Sequence, residues 1–185
     1  MDSLSRRHLF GAAGALATLS MLPEAIPGAW AQGPAKDRLV IGMSLEPPVL
    51  DPTKNAAAAI REVTTPNIYE SLGRIDRSGA IGPGLAESWS ISEDGREYVF
   101  KLRQGVRFHD GEPLDAAVAK WPLERLSASD STVPAKSLYT DIEKVEAIDP
   151  STVRVTLKSP NSFMLYSLSL GDAAIMHPKS APTND

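Results

Sequence analysis

The residues with the most chemical potential in this chain are the pair His109-Asp110, a second histidine at His177, and the carboxylates Glu93 and Asp94. A histidine beside a carboxylate is how a metal site or a general base begins. Zinc, however, needs three or four donors, and no third or fourth ligand stands near His109 or His177, which are far apart in sequence. The pair lies in His109-Asp110-Gly111, an acidic-glycine turn. Glu93, Asp94 and Asp110 all fall in polar turn sequences. Carboxylates with free access to water lack the raised pKa a general acid needs. Gly82-Pro83-Gly84 opens like a phosphate-cradling loop, but Pro83 separates the glycines and Glu87 stands where the third belongs. No G-x-S-x-G elbow occurs, so a serine hydrolase of that type has no support. With no cysteine, disulfides and Cys-type zinc or iron–sulfur sites are excluded. The expectation is a protein that is no enzyme, with no catalytic residue, no metal and no cofactor.

Charge and the N-terminus set the context. The formal net charge of -4 is mild and spread along the chain, with no Lys/Arg block to suit nucleic acid or an anionic membrane. Ser5-Arg6-Arg7-His8-Leu9-Phe10 is a paired arginine followed by Leu-Phe, and Leu9 to Leu22 is almost wholly Ala, Gly, Leu and Met. That run suits a signal h-region and is too short to span a bilayer. Pro23 and Pro27 end it, and Ala29-Trp30-Ala31 predicts cleavage after Ala31. Residues 1–31 therefore read as a twin-arginine signal peptide, whose partner is the twin-arginine translocation machinery. Residues 32–185 form the mature chain, long enough for one domain that is not embedded in a membrane.

Strands, turns and a few helices must position any site. Arg38 to Met43 has the apolar, β-branched pattern of a buried strand, and the prolines of Glu46 to Pro52 force an irregular connection. Ala56 to Arg61 favours helix. Thr65-Pro66 reads as a cap and first helical position for a short helix through 67–71. Leu72 to Ile75 leads to the turn Asp76-Arg77-Ser78-Gly79. Trp89 and Ile91, Ser92-Glu93-Asp94-Gly95, and Tyr98 to Leu102 make a hairpin. Leu114 to Leu126 is helical, with Leu114, Val118 and Trp121 on one side, Leu126 not far from them, and Pro122 expected to kink or end it. Residues 127–137 form a loop. A second hairpin joins Ile142–Ile148 to Thr152–Lys158 through Asp149-Pro150-Ser151, and Ser162 to Leu170 is expected to be a helix with little solvent face. The aromatics Trp89, Trp121, Tyr98 and Phe100 are expected in the core. Residues 176–185 carry turn formers and no finished element.

Three stretches carry a family resemblance: Gly84-Leu85-Ala86-Glu87-Ser88-Trp89, Ser92-Glu93-Asp94-Gly95, and Leu102 to Gly111, which reads Leu-Arg-Gln-Gly-Val-Arg-Phe-His-Asp-Gly. With Ile41-Gly42-Met43, Leu50-Asp51-Pro52, Tyr69-Glu70-Ser71-Leu72 and Leu123-Glu124-Arg125-Leu126, the region 38–177 resembles the family 5 extracellular solute-binding proteins. These are the peptide, dipeptide, oligopeptide and nickel receptors of ABC importers. Lys120-Trp121-Pro122 departs from the family's helix pattern, and the chain stops where its Gly-Thr-Gly-Pro segment is expected.

The resemblance implies an α/β fold: the N-terminal lobe of a type II periplasmic-binding-protein fold with an inserted β-hairpin-rich subdomain, incomplete over 32–185. It implies a periplasmic protein that binds peptides or similar small solutes and docks on ABC importer permease subunits. The implied ligand contacts are Glu46 and Pro47 after the first strand, and Asn67 and Tyr69 at the start of the segment facing the same cleft. An extended peptide needs donors and acceptors spaced like a sheet edge, so backbone groups count as well. The alternative is a truncated remnant that binds nothing by itself, its open strand edges and apolar surface uncovered. A secreted hydrolase is the least supported reading.

Overall fold

The structure, a computed structural model, describes residues 40–65 and 67–179. The signal-peptide reading of 1–31 lies outside those residues, as does Pro66. The chain divides into two units at Gly42/Met43, and everything below concerns the second, from Met43 onward, unless stated.

The centre of the fold is a four-stranded antiparallel sheet. Its strands β3 (Ala86–Ile91), β4 (Glu97–Leu102), β5 (Ile142–Asp149) and β6 (Thr152–Leu157) are ordered β3-β4-β6-β5. The period-two alternation decides its faces. Tyr98, Phe100 and Leu102 of β4 point into the core beside Val153, Val155 and Leu157 of β6, whereas Lys101 faces outward. Both hairpins turn where the sequence predicts. Asp94-Gly95 reverses the first, with Gly95 at φ 69°, a conformation that costs glycine little. In the second, the Asp149 carboxylate accepts from Ser151 N at 2.8 Å. That hairpin tip is tied on two sides: Leu102 N donates to Ser151 O at 2.8 Å and Ala116 N to Pro150 O at 2.9 Å.

One helix, α2 (Ala116–Ser127), covers the sheet by packing on β5 and β6. Asp115 caps it, its carboxylate accepting from Val118 N at 2.8 Å. The buried face is Ala116, Ala119, Leu123 and Leu126; of the expected grouping Leu126 is buried and Leu114 packs partly buried on the core, whereas Val118 and Trp121 stay half exposed. Two small alanines and two leucines share the face that packs on the sheet. Trp121 lies beneath the Arg125 guanidinium, 4.7 Å from the ring centre, and leaves the core to Tyr98 and Phe100. Trp89 is partly buried against that core. Pro122 does not end the helix, which runs on to Ser127. Losing one helical hydrogen bond is offset by burying Pro122 and Leu123 on the sheet.

Three other expectations are corrected. Residues 40–43 form no strand, and Val40 and Ile41 are 75% and 71% exposed. An apolar run states a preference for burial, but it becomes a strand only where a neighbour offers backbone groups to pair with. The predicted helix at 67–71 is absent: Thr65 instead ends α1 (Ala58–Thr64) and Asn67 and Ile68 form a turn. The cap-like Thr65 serves a C-terminus because Thr65 N donates back to Arg61 O at 2.9 Å. The helix expected at 162–170 contracts to α3 (Met164–Ser167), followed by a 3₁₀ turn over Gly171–Ala173. Phe163 is 53% exposed and stacks on Tyr166 rather than entering the core.

Candidate ligand-binding site

A short ribbon, β1 (Gly73–Ile75) paired with β2 (Ile81–Pro83), leads from α1 into the main sheet. Its turn is closed by Asp76, whose carboxylate accepts from Ser78 N, Ser78 Oγ and Ala80 N at 2.7, 2.6 and 3.0 Å. Those bonds, the Ser78 hydroxyl's first, hold the Asp76 carboxyl below the usual carboxylate range. Three stretches of backbone meet beside this ribbon. Gly84 N and Ala86 N donate to Leu72 O, and Leu85 N donates to Ser71 O. On the other side Ile175 N donates to Glu70 O at 2.9 Å, and the Ser71 hydroxyl to Leu170 O at 2.7 Å. The segment 69–73 is thus clamped between 84–86 and 170–175.

Tyr69 stands in that clamped segment, half-buried, between two open cavities. Burial, with the Asp51 carboxylate adding to it, raises its phenol above the ordinary value, so it is a neutral donor and acceptor at physiological pH. The first cavity, of about 280 Å³, has an apolar floor that includes Leu85, Val106, Phe108 and Ile175. His109, Asp110 and His177 also line it. The fold thus brings together two histidines that sequence spacing left apart. His177 lies edge-on to Phe108, ring centres 5.2 Å apart, and its Nδ1 accepts from Lys179 N at 3.1 Å. Among the described residues no three metal-ligating side chains gather closely enough to hold an ion.

The second cavity has a volume of about 340 Å³. Arg61 of α1, Thr65, Ser71, Arg74 of β1 and Ser169 line it, and Glu70 belongs to both cavities. Arg61 Nη2 donates to both oxygens of Asp172, at 3.0 and 3.2 Å, joining residues 111 apart in sequence. No local pattern could have revealed that pair, and neither arginine stood out in the sequence.

The four sequence-derived contact residues are distributed unevenly. Asn67 is exposed, and its side-chain amide donates to Val63 O at 3.1 Å and Glu62 O at 3.4 Å, closing the end of α1. Glu46 is exposed and Pro47 half-buried in the irregular stretch before Asp51. Only Tyr69 of the four lines either cavity.

A hairpin-built α/β layer beside two open cavities, without an assembled catalytic group among the described residues, is the architecture of a periplasmic binding protein in part. Solved structures share it. The binding protein AgaA of A. tumefaciens R10, in complex with agropinic acid, superposes with a TM-score of 0.67 at 33% identity over 71% of this chain and 26% of its own. DppA of Helicobacter pylori, in complex with the peptide STSA, gives 0.60 at 28% identity over 70% and 29%. The chain belongs to the bacterial extracellular solute-binding proteins, family 5, whose middle-region profile matches residues 80–185. Among curated relatives, the glutathione-binding protein GsiB of Salmonella paratyphi A is 35% identical over 146 residues, 79% of this chain. The chain spans only 28% of that relative's length.

Proposed function

We propose that residues 32–185 are part of the N-terminal lobe of a periplasmic solute receptor of an ABC importer, exported by the twin-arginine signal at 1–31. The lobe presents Glu46, Pro47, Asn67 and Tyr69, with the cavities flanking Tyr69, to a peptide or similar small solute. The observation that carries this is the position of Tyr69: one half-buried phenol at the junction of two open cavities, on a segment clamped from both sides. The ligands of the relatives and structural neighbours, glutathione, agropinic acid and a tetrapeptide, are all small polar molecules of that class. The ligand-bound receptor then docks on the importer's permease subunits.

Affinity in such a receptor comes from burying the ligand between two lobes. A micromolar ligand corresponds to about −8 kcal/mol, and half of that leaves about −4 kcal/mol, or ~1 mM. The purified mature chain should therefore bind small peptides only in the millimolar range, read by NMR shifts centred on the Tyr69 segment. Micromolar binding, or shifts confined to the opposite face of the sheet, would refute the half-site. Fusing residues 1–31 to a reporter that folds in the cytoplasm checks the export route: periplasmic reporter that disappears on changing Arg6-Arg7 to Lys-Lys is the expected outcome.

A further inference from the structure

We propose that Arg61, Arg74 and Thr65 make the second cavity a carboxylate-binding subsite, so that this lobe selects solutes carrying a free carboxylate. The inference rests on the solute-binding reading and narrows its ligand class.

Arg61 directs both bonds to Asp172 through Nη2, and among the described residues its Nε and Nη1 donors have no partner. The Asp172 side chain is 2% exposed and that of Arg61 is 47% exposed. A buried carboxylate thus holds the guanidinium from beneath while about half of the Arg61 side chain stays exposed, and the residue lines the cavity. A planar five-donor fork fixed in this way is preorganised for a second carboxylate. The plainer explanation is an ion pair that only fastens α1 to the turn at Gly171–Ala173. It accounts for Nη2 but not for Arg74. That arginine comes from a different element, β1, is exposed, lines the same cavity and makes no ion pair among the described residues.

Two further features suit a polar occupant. The Thr65 hydroxyl is buried in this wall without a hydrogen-bond partner among the described residues. Beside it Gly171 keeps the wall open, since a Cβ there would stand 2.5 Å from Thr65 Oγ1. At about 340 Å³ the cavity is within the range of small-molecule sites. Glu70, the acidic side chain lining it among the described residues, sits at the border with the first cavity, where it can meet the ammonium of a zwitterionic solute. With Asp172 behind Arg61, two guanidinium groups meet two carboxylates, so the attraction for a solute carboxylate lies in the open donors of Arg61 and Arg74, not in net charge.

The test compares reduced glutathione with its diethyl ester, which keeps the backbone and masks both carboxylates, on the purified mature chain by ¹⁵N NMR. With no cysteine in the protein, the glutathione thiol has nothing to exchange with. Glutathione should shift the Arg61 and Arg74 Nε–H signals and the Thr65 amide, and the ester should bind about tenfold more weakly. Arg74→Gln leaves the Asp172 pair intact and should weaken the acid several-fold while leaving the ester unchanged. Arg61→Lys keeps a cation over Asp172 but loses the fork, and should act in the same direction. Equal binding of acid and ester, or acid binding unaltered by Arg74→Gln, overturns the subsite while the solute-binding reading stands. Shifts at Tyr69 without any at the two arginines do the same. No shift with either compound at tens of millimolar overturns both.

Discussion

Replacing Gly84 by alanine places a methyl group where the fold has brought two stretches of backbone together. A Cβ on Gly84 would lie 2.6 Å from Ser71 O, 2.8 Å from Leu72 O and 2.9 Å from the carbonyl carbon of Gly73. All three are main-chain atoms, and they are held in place. Gly84 N and Ala86 N donate to Leu72 O, Leu85 N to Ser71 O, and the Ser71 hydroxyl to Leu170 O. No rotamer change can relieve the contact; the clamp on the Tyr69 segment has to open. Overpacking in a tight site costs about 1–3 kcal/mol, and a backbone collision belongs at the upper end. Against this, alanine restricts the unfolded chain and returns about 0.5 kcal/mol, because Gly84 does not need positive φ. The net loss is about 2 kcal/mol, or a fall of about 6 °C in Tm for a chain of this size. Thermal unfolding followed by far-UV circular dichroism measures it. Gly42→Ala is the control: nothing lies within 4 Å of its Cβ position, and its φ is not positive, so stability should stay within about 0.5 kcal/mol. Equal midpoints for Gly84→Ala and Gly42→Ala would show that the 71–73 and 84–86 segments are not zipped together as described.

Further expectations come from the core and its edges. Tyr139 is fully buried and its hydroxyl donates to Ser167 O at 3.0 Å. Burial first, and then the Asp172 charge, push its phenol above the ordinary 10.0, with Arg61 opposing. The unfolded chain releases that proton near pH 10 while the folded chain keeps it. Stability is therefore independent of this group below that pH and falls above it, by at most about 1.4 kcal/mol per pH unit. Tyr139→Phe should flatten the alkaline slope in urea unfolding from about pH 9 to 11, with a residual slope from Tyr98, which burial also raises. Asp115→Ala should cost about 1 kcal/mol by uncapping α2, and Asp115→Asn much less; denaturant midpoints distinguish them. Leu123→Ala, at a fully buried position, should cost about 3 kcal/mol, whereas Phe163→Ala, 53% exposed, should change stability by no more than about 0.5 kcal/mol.

Legibility in the sequence followed the range of the forces involved. Both hairpins were readable because their determinants are local: alternating side chains sort to two faces, and Asp94-Gly95 or Asp149-Pro150-Ser151 closes the turn within a few residues. The family was readable for the same reason, since its motifs lie in those turns and strands. Exposed Val40 and Ile41 show the limit of that logic. A β-branched apolar run states a preference for burial but cannot supply its own partner. Periodicity identifies a stripe on α2 while the sheet beneath decides which part of it is covered: Leu126 is buried with Ala116, Ala119 and Leu123, and Trp121 stays half exposed.

Of the candidate site, the sequence by itself marked Tyr69, which lines both cavities, excluded cysteine chemistry, and picked out Gly84 through its place in a motif. Tertiary structure alone decided the rest. It set Arg61 on Asp172 across 111 residues, turned Arg74 into the same cavity, gathered His109 and His177 around another, and engaged the Asn67 amide at the end of α1. The physical reason is that a cavity is a property of surfaces that meet. Which side chains line it depends on how separate elements pack, and that packing is fixed by the core far more than by the residues that end up facing the ligand.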